Sequence, residues 1–131
     1  MKKIMELLDT AEIGIEYLDL KKNGYYDPVL KTLFINSNLN DNELKKTIMH
    51  EAGHGFLHDE LYPLYKMPNP QSKMEFEADK FMIKNLLIDY MEHYSLSFDQ
   101  INYMKFMDYY DIDYFYEDYL KDLLVNIQTI I

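Results

Sequence analysis

Apolar residues at helical spacing over residues 3–11 predict a short amphipathic helix. From Ile13 to Leu20 the period changes to two. Ile13, Ile15 and Tyr17 alternate with Gly14 and Glu16, which is a strand pattern. Asp19-Leu20-Lys21-Lys22-Asn23-Gly24 then ends on Asn-Gly, a strong turn signal. Residues 25–30 and 31–36 follow as extended segments, and Thr32-Leu33-Phe34-Ile35 is the better strand of the two. The stretch from Asn36 to Asn42 is polar and loop-like. A helix is expected from near Asn40, with Glu43 three residues on in capping-box spacing, to about His58.

Pro63, Pro68 and Pro70 mark residues 59–72 as an irregular connector, long enough for a lid or a substrate-facing loop. A second long helix is expected over Lys73 to Tyr94. Ser97, with Gln100 three residues later, predicts the start of a third. A fourth is expected from about Asp113 to the end. Its Tyr116, Leu120, Leu123, Leu124, Ile127 and Ile131 share one stripe, with Asp118, Lys121 and Asp122 opposite. No internal repeat or low-complexity tract interrupts this order. The pattern predicts one α+β domain over residues 1–131, with a small antiparallel sheet and mostly helix after residue 40.

Composition narrows the function. The 131 residues suit one domain, and 48% hydrophobic with 15% aromatic content is too rich for a disordered chain. All 13 cations are lysines, set against 23 carboxylates, for a formal charge of −10. That balance argues against direct nucleic-acid binding, which needs a basic footprint, and the lack of arginine removes the usual bidentate phosphate clamp. A basic protein partner suits such a surface better. With no cysteine, a disulfide scaffold, a thiolate zinc site and a cysteine nucleophile are excluded. Glu6, Asp9 and Glu12 break any apolar run after Met1-Lys2-Lys3-Ile4, so no export signal is expected. No stretch approaches the roughly 18 apolar residues of a membrane helix. A cytoplasmic protein with no membrane association is the expectation.

The chemistry is concentrated in His50-Glu51-Ala52-Gly53-His54, an HExxH motif on a predicted helix. Histidines at i and i+4 share a helix face, so both imidazoles can reach one metal. Neutral histidine nitrogens suit a tetrahedral zinc, and Glu51 beside them could take a proton from the zinc-bound water. The competing reading is a helix with two hydrogen-bonded structural histidines. A catalytic zinc also needs a third protein ligand, for which His58, Glu75, Glu77 and Asp79 are candidates. His58 lies eight residues from His50, about 12 Å along the axis, so the two cannot share one ion. A His54–His58 pair would leave Glu51 without a task. His58 therefore reads as a helix-end residue or one that supports a ligand from behind.

At about 100° per residue, Glu75 and Asp79 fall on the stripe of Ala78, Met82, Leu86 and Tyr90. Glu77 falls opposite, with Lys73, Lys80 and Lys84, and reads as a solvated ion-pair partner. Carboxylates on an apolar stripe are costly unless paired or metal-bound. Glu75 is thus the expected third ligand. Asp79, one turn on, is placed to accept the outer N–H of a ligating histidine.

His50-Glu51-Ala52-Gly53-His54 followed by Glu75-Phe76-Glu77-Ala78-Asp79-Lys80-Phe81 resembles the ImmA/IrrE metallopeptidases of phages and integrative elements. The upstream strand Thr32-Leu33-Phe34-Ile35-Asn36 adds to the likeness, which covers roughly residues 13–90. The resemblance implies a gluzincin-like endopeptidase built on a helical zincin core. It implies Zn2+ held by His50, His54 and Glu75, with Glu51 as the base. It also implies an antirepressor that cleaves a separate helix-turn-helix repressor.

The strand at 31–36 could pair with an extended substrate segment, since edge strands bind peptides by main-chain hydrogen bonds. Tyr62 and Tyr65, in the proline-bounded connector, read first as loop-packing residues, with stabilising an oxyanion the alternative for either. His93 reads as a surface residue near a helix end. The Asp/Tyr-rich run from Met107 to Asp122 reads as an amphipathic helix with tyrosine hydroxyls at the rim. Two other classes compete with the peptidase. One is an inactive zinc protein that sequesters a partner, and the other is a metal-free acidic interaction module.

Overall fold

The computed structural model describes residues 1–58 and 68–130, the backbone alone for residues 68–71 and 127–130. Tyr62 and Tyr65 therefore lie outside the described residues. The chain runs through helix α1 (Lys2–Thr10) and strands β1 (Gly14–Leu18), β2 (Gly24–Asp27) and β3 (Thr32–Asn36). Helices α2 (Asp41–His58), α3 (Pro68–His93), α4 (Tyr103–Tyr110) and α5 (Glu117–Ile130) follow. The α+β class expected from the hydropathy pattern is the one observed. Two compact units divide the chain, Met1–Met82 and Ile83–Ile131.

In the first unit the sheet has the order β1-β3-β2. It is mixed, not wholly antiparallel. β2 pairs antiparallel with β3, while β1 pairs parallel with it, Ile15 opposite Leu33 and Tyr17 opposite Ile35. The cause lies in the turns. Asp27 accepts the backbone N–H of Val29 (2.9 Å) and Leu30 (3.1 Å), and Lys31 takes a left-handed φ of 50°. These residues close the β2–β3 hairpin, and β1 then fills the other edge of β3. β3 is therefore the central strand, and an incoming segment cannot pair with it; the edges belong to β1 and β2.

Gly24 serves packing and not a left-handed turn. A Cβ there would lie 2.7 Å from the Phe34 carbonyl oxygen and 2.9 Å from Thr47 Cγ2, and its φ is not positive. One sheet face, carrying Tyr26, Leu33 and Ile35, is buried, as are Ile48, Met49 and Ala52 of α2 and Ile4 and Leu8 of α1. α2 is capped as the sequence predicts: Asn40 Oδ1 accepts the Glu43 N–H at 2.9 Å.

α3 begins at Pro68, five residues before the expected Lys73. Pro68 and Pro70 occupy its first turn, where a missing N–H costs nothing because those groups have no intrahelical partner. The helix crosses the boundary between the units at Met82 and Ile83.

In the second unit, the Ser97/Gln100 signature caps only a single 3-10 turn, Phe98–Gln100, with Ser97 N–H donating to Gln100 Oε1 at 2.8 Å. Ile101 is extended and stops it. α4 starts afresh with Asn102, whose side chain accepts the Lys105 N–H at 3.1 Å. Phe106, Met107, Tyr110, Tyr116, Leu120 and Leu123 are buried here, and Tyr90 meets Phe106 edge to face at 5.4 Å. Ile127 and Ile131 of the expected stripe lie outside the described side chains. Among the described residues no helix is long and apolar enough to cross a membrane.

Candidate metal centre

α2 and α3 approach each other at their smallest residues. A Cβ built on Gly53 would lie 3.2 Å from the Ala78 Cα, 3.3 Å from its carbonyl oxygen and 3.2 Å from Phe81 Cδ1. The helices thus touch almost backbone to backbone. The rings of Phe56 and Phe81, 5.7 Å apart, flank this contact. His50 and His54 lie on either side of Gly53 in sequence, and Glu75 and Asp79 on either side of Ala78. The close approach brings the two pairs into reach of each other.

One carboxylate spans both imidazoles. Glu75 Oε2 is 2.9 Å from His50 Nε2, and Oε1 is 2.8 Å from His54 Nε2. His50 turns its other nitrogen outward, with Nδ1 2.8 Å from Asp79 Oδ1. Glu51 lies beside the group, Oε2 4.0 Å from His50 Nε2.

Burial alone would push the His50 imidazole down. Its hydrogen bonds to Asp79 and Glu75, and the charges of Glu51 and Asp79, reverse this and raise its pKa to about 10. Hydrogen bonds from His50 and His54 hold the Glu75 carboxyl well below the usual carboxylate range, although its side chain is half exposed. Glu51 moves the other way. Burial pushes its carboxyl up, against the pull of His50 and His54.

His50, His54 and Glu75 each offer one ligand atom, all within 4.8 Å of one another, and could hold a metal ion. Two imidazole nitrogens and a carboxylate oxygen are a donor set that zinc accepts. A tetrahedron with zinc's ~2.0 Å bonds has an edge of ~3.3 Å, so the observed contacts of 2.8 and 2.9 Å need open only slightly to admit it. Asp79 stays outside this trio and contacts His50 from behind.

Two other side chains meet partners that sequence reasoning did not assign to them. His58, 1% exposed, ends α2 with its Nδ1 3.0 Å from His54 Nδ1. Glu77, read from the helical wheel as a lysine partner, places its Oε1 3.8 Å from His58 Nε2. Burial and the neighbouring His54 push the His58 imidazole down. The i,i+4 spacing of His54 and His58 was the available signal. His93 is exposed at the end of α3, as expected of a surface residue.

A family model, the IrrE N-terminal-like domain of peptidase family M78, matches residues 9–119. The chain belongs to this family. The M78 match takes in the whole cluster, from His50 to Asp79, and runs across both compact units. No curated protein and no solved structure matches the chain. Its membership of M78 and its His-His-Glu cluster together give it a metallopeptidase type.

Proposed function

We propose that this chain is a zinc-dependent endopeptidase whose substrate is a separate protein, a helix-turn-helix transcriptional repressor of a phage or mobile element. The observation that carries the hydrolytic reading is the convergence of three donors with Glu51 beside them. A structural zinc site normally closes with four protein ligands, whereas a catalytic one keeps a position open. The group of three among the described residues, with Asp79 turned to His50's outer nitrogen, fits the second kind.

A zinc ion held by His50, His54 and Glu75 would supply Lewis acidity, polarising the scissile carbonyl and acidifying the attacking water. Glu51 accepts the proton of that water and passes it to the leaving amine. Asp79 accepts the His50 Nδ1–H, leaving the Nε2 lone pair to face the cation. The formal charge of −10 favours encounter with a basic DNA-binding protein over nucleic acid itself.

The test is cleavage of purified helix-turn-helix repressors by the wild type and by Glu51→Gln, read by mass spectrometry. The variant should retain zinc and lose about 10²–10⁴-fold in rate. Full activity in a zinc-loaded Glu51→Gln protein would remove the assigned base. Zinc binding without any cleavage, by contrast, would favour sequestration of a partner.

A further inference from the structure

The surroundings of His54 differ from those of His50. His50 turns its outer nitrogen to a carboxylate, Asp79 at 2.8 Å. His54 turns its own to a second imidazole, His58 Nδ1 at 3.0 Å. His58 is 1% exposed, and among the described residues its Nε2 has no hydrogen-bond partner. The Glu77 carboxylate stands 3.8 Å from that Nε2, just beyond hydrogen-bond reach.

Two imidazole nitrogens can bond only if one carries the proton and the other offers its lone pair. A metal-ligating His54 must give its Nε2 lone pair to the cation, so its proton sits on Nδ1. His58 then has to accept at Nδ1, and its own proton moves to Nε2, the atom that faces Glu77. We propose that His58 is a positioning residue of the metal centre: it accepts the His54 Nδ1–H, fixes that ring's tautomer and orientation, and is steadied in turn by Glu77. A leucine would fill the same space without the cost of burying a polar ring, so packing alone does not account for an imidazole here. The inference rests on the metal-centre reading given above.

Two variants and one spectrum test it. His58→Leu keeps the bulk and removes the acceptor. His58→Asn places a carbonyl oxygen near the Nδ1 position and keeps it. The readouts are Co2+ affinity, from competition with a chromophoric chelator, and the visible spectrum of the Co2+ form. His58→Leu should bind Co2+ about 10–100-fold more weakly with an altered spectrum, and His58→Asn should recover most of the loss. Equal affinity in the wild type and a folded His58→Leu protein would overturn the inference, as would an asparagine variant no better than leucine. Should His58→Leu fail to fold, long-range 15N–1H spectra of the zinc-loaded wild type decide. The proton is expected on Nδ1 of His54 and Nε2 of His58, and a proton on Nδ1 of His58 would overturn the role. A wild type that binds no metal would instead remove the metal centre itself, so the two failures are distinguishable.

Discussion

Asp79 meets the His50 ring on the side away from Glu75. By accepting from His50 Nδ1 at 2.8 Å, it leaves Nε2 as the nitrogen turned to Glu75 and the candidate ion. Replacing Asp79 with Ala should lower zinc affinity about 10–100-fold, and Asp79→Asn, which keeps an acceptor oxygen, should lower it less. Competition against a chromophoric chelator measures both. Unchanged affinity in Asp79→Ala would show that the contact does not tune the ligand. Glu75 and Asp79 were legible in the sequence because both fall on the helical stripe of Ala78 and Met82, although the Glu75 side chain is half exposed and not buried on it. The His58–Glu77 contact was not legible. A helical wheel gives the direction of Cβ on one helix, not the reach of a long side chain towards a neighbouring one.

At the scale of elements, the closeness of α2 and α3 at Gly53 and Ala78 holds the site together. Alanine at 53 would gain about 1 kcal/mol in helix propensity but place its methyl 3.2 Å from the Ala78 Cα, where backbone atoms have little room to move. Gly53→Ala should therefore weaken zinc binding despite the better helix former, and Gly53→Leu should abolish it, both read by zinc titration of folded protein. Full zinc affinity in Gly53→Leu would show that helix spacing does not set the donor geometry. The glycine was visible in the motif, but its partner was not, since a sequence does not say which helix it will meet.

The same limit applied to the strands. Thr32-Leu33-Phe34-Ile35 announced β3 through β-branched and aromatic content, and the Asn40 cap announced α2. The mixed order β1-β3-β2 was hidden, because β1 is mostly exposed and its alternation does not encode a partner or a direction. The Asn-Gly signal marked the bend between β1 and β2, where Gly24 also comes close to Thr47, while Asp27 and Lys31 close the β2–β3 hairpin. Pro68 misplaced the start of α3 because a proline that interrupts a helix interior is harmless in its first turn.

For the whole molecule, a chain with no cysteine offers no thiolate, and the candidate centre is accordingly built from nitrogen and oxygen donors. The M78 match over residues 9–119 gives a metallopeptidase type, and the His50-His54-Glu75 group within it could hold a metal ion. The most direct measurement is elemental analysis of purified wild type, Glu51→Gln, and a His50→Ala, His54→Ala double variant, with circular dichroism to show that each is folded. A zinc centre at His50, His54 and Glu75 requires about one zinc per chain in the wild type and in Glu51→Gln, lost in the double variant. A folded wild type that takes up no zinc after supplementation at neutral pH would contradict it.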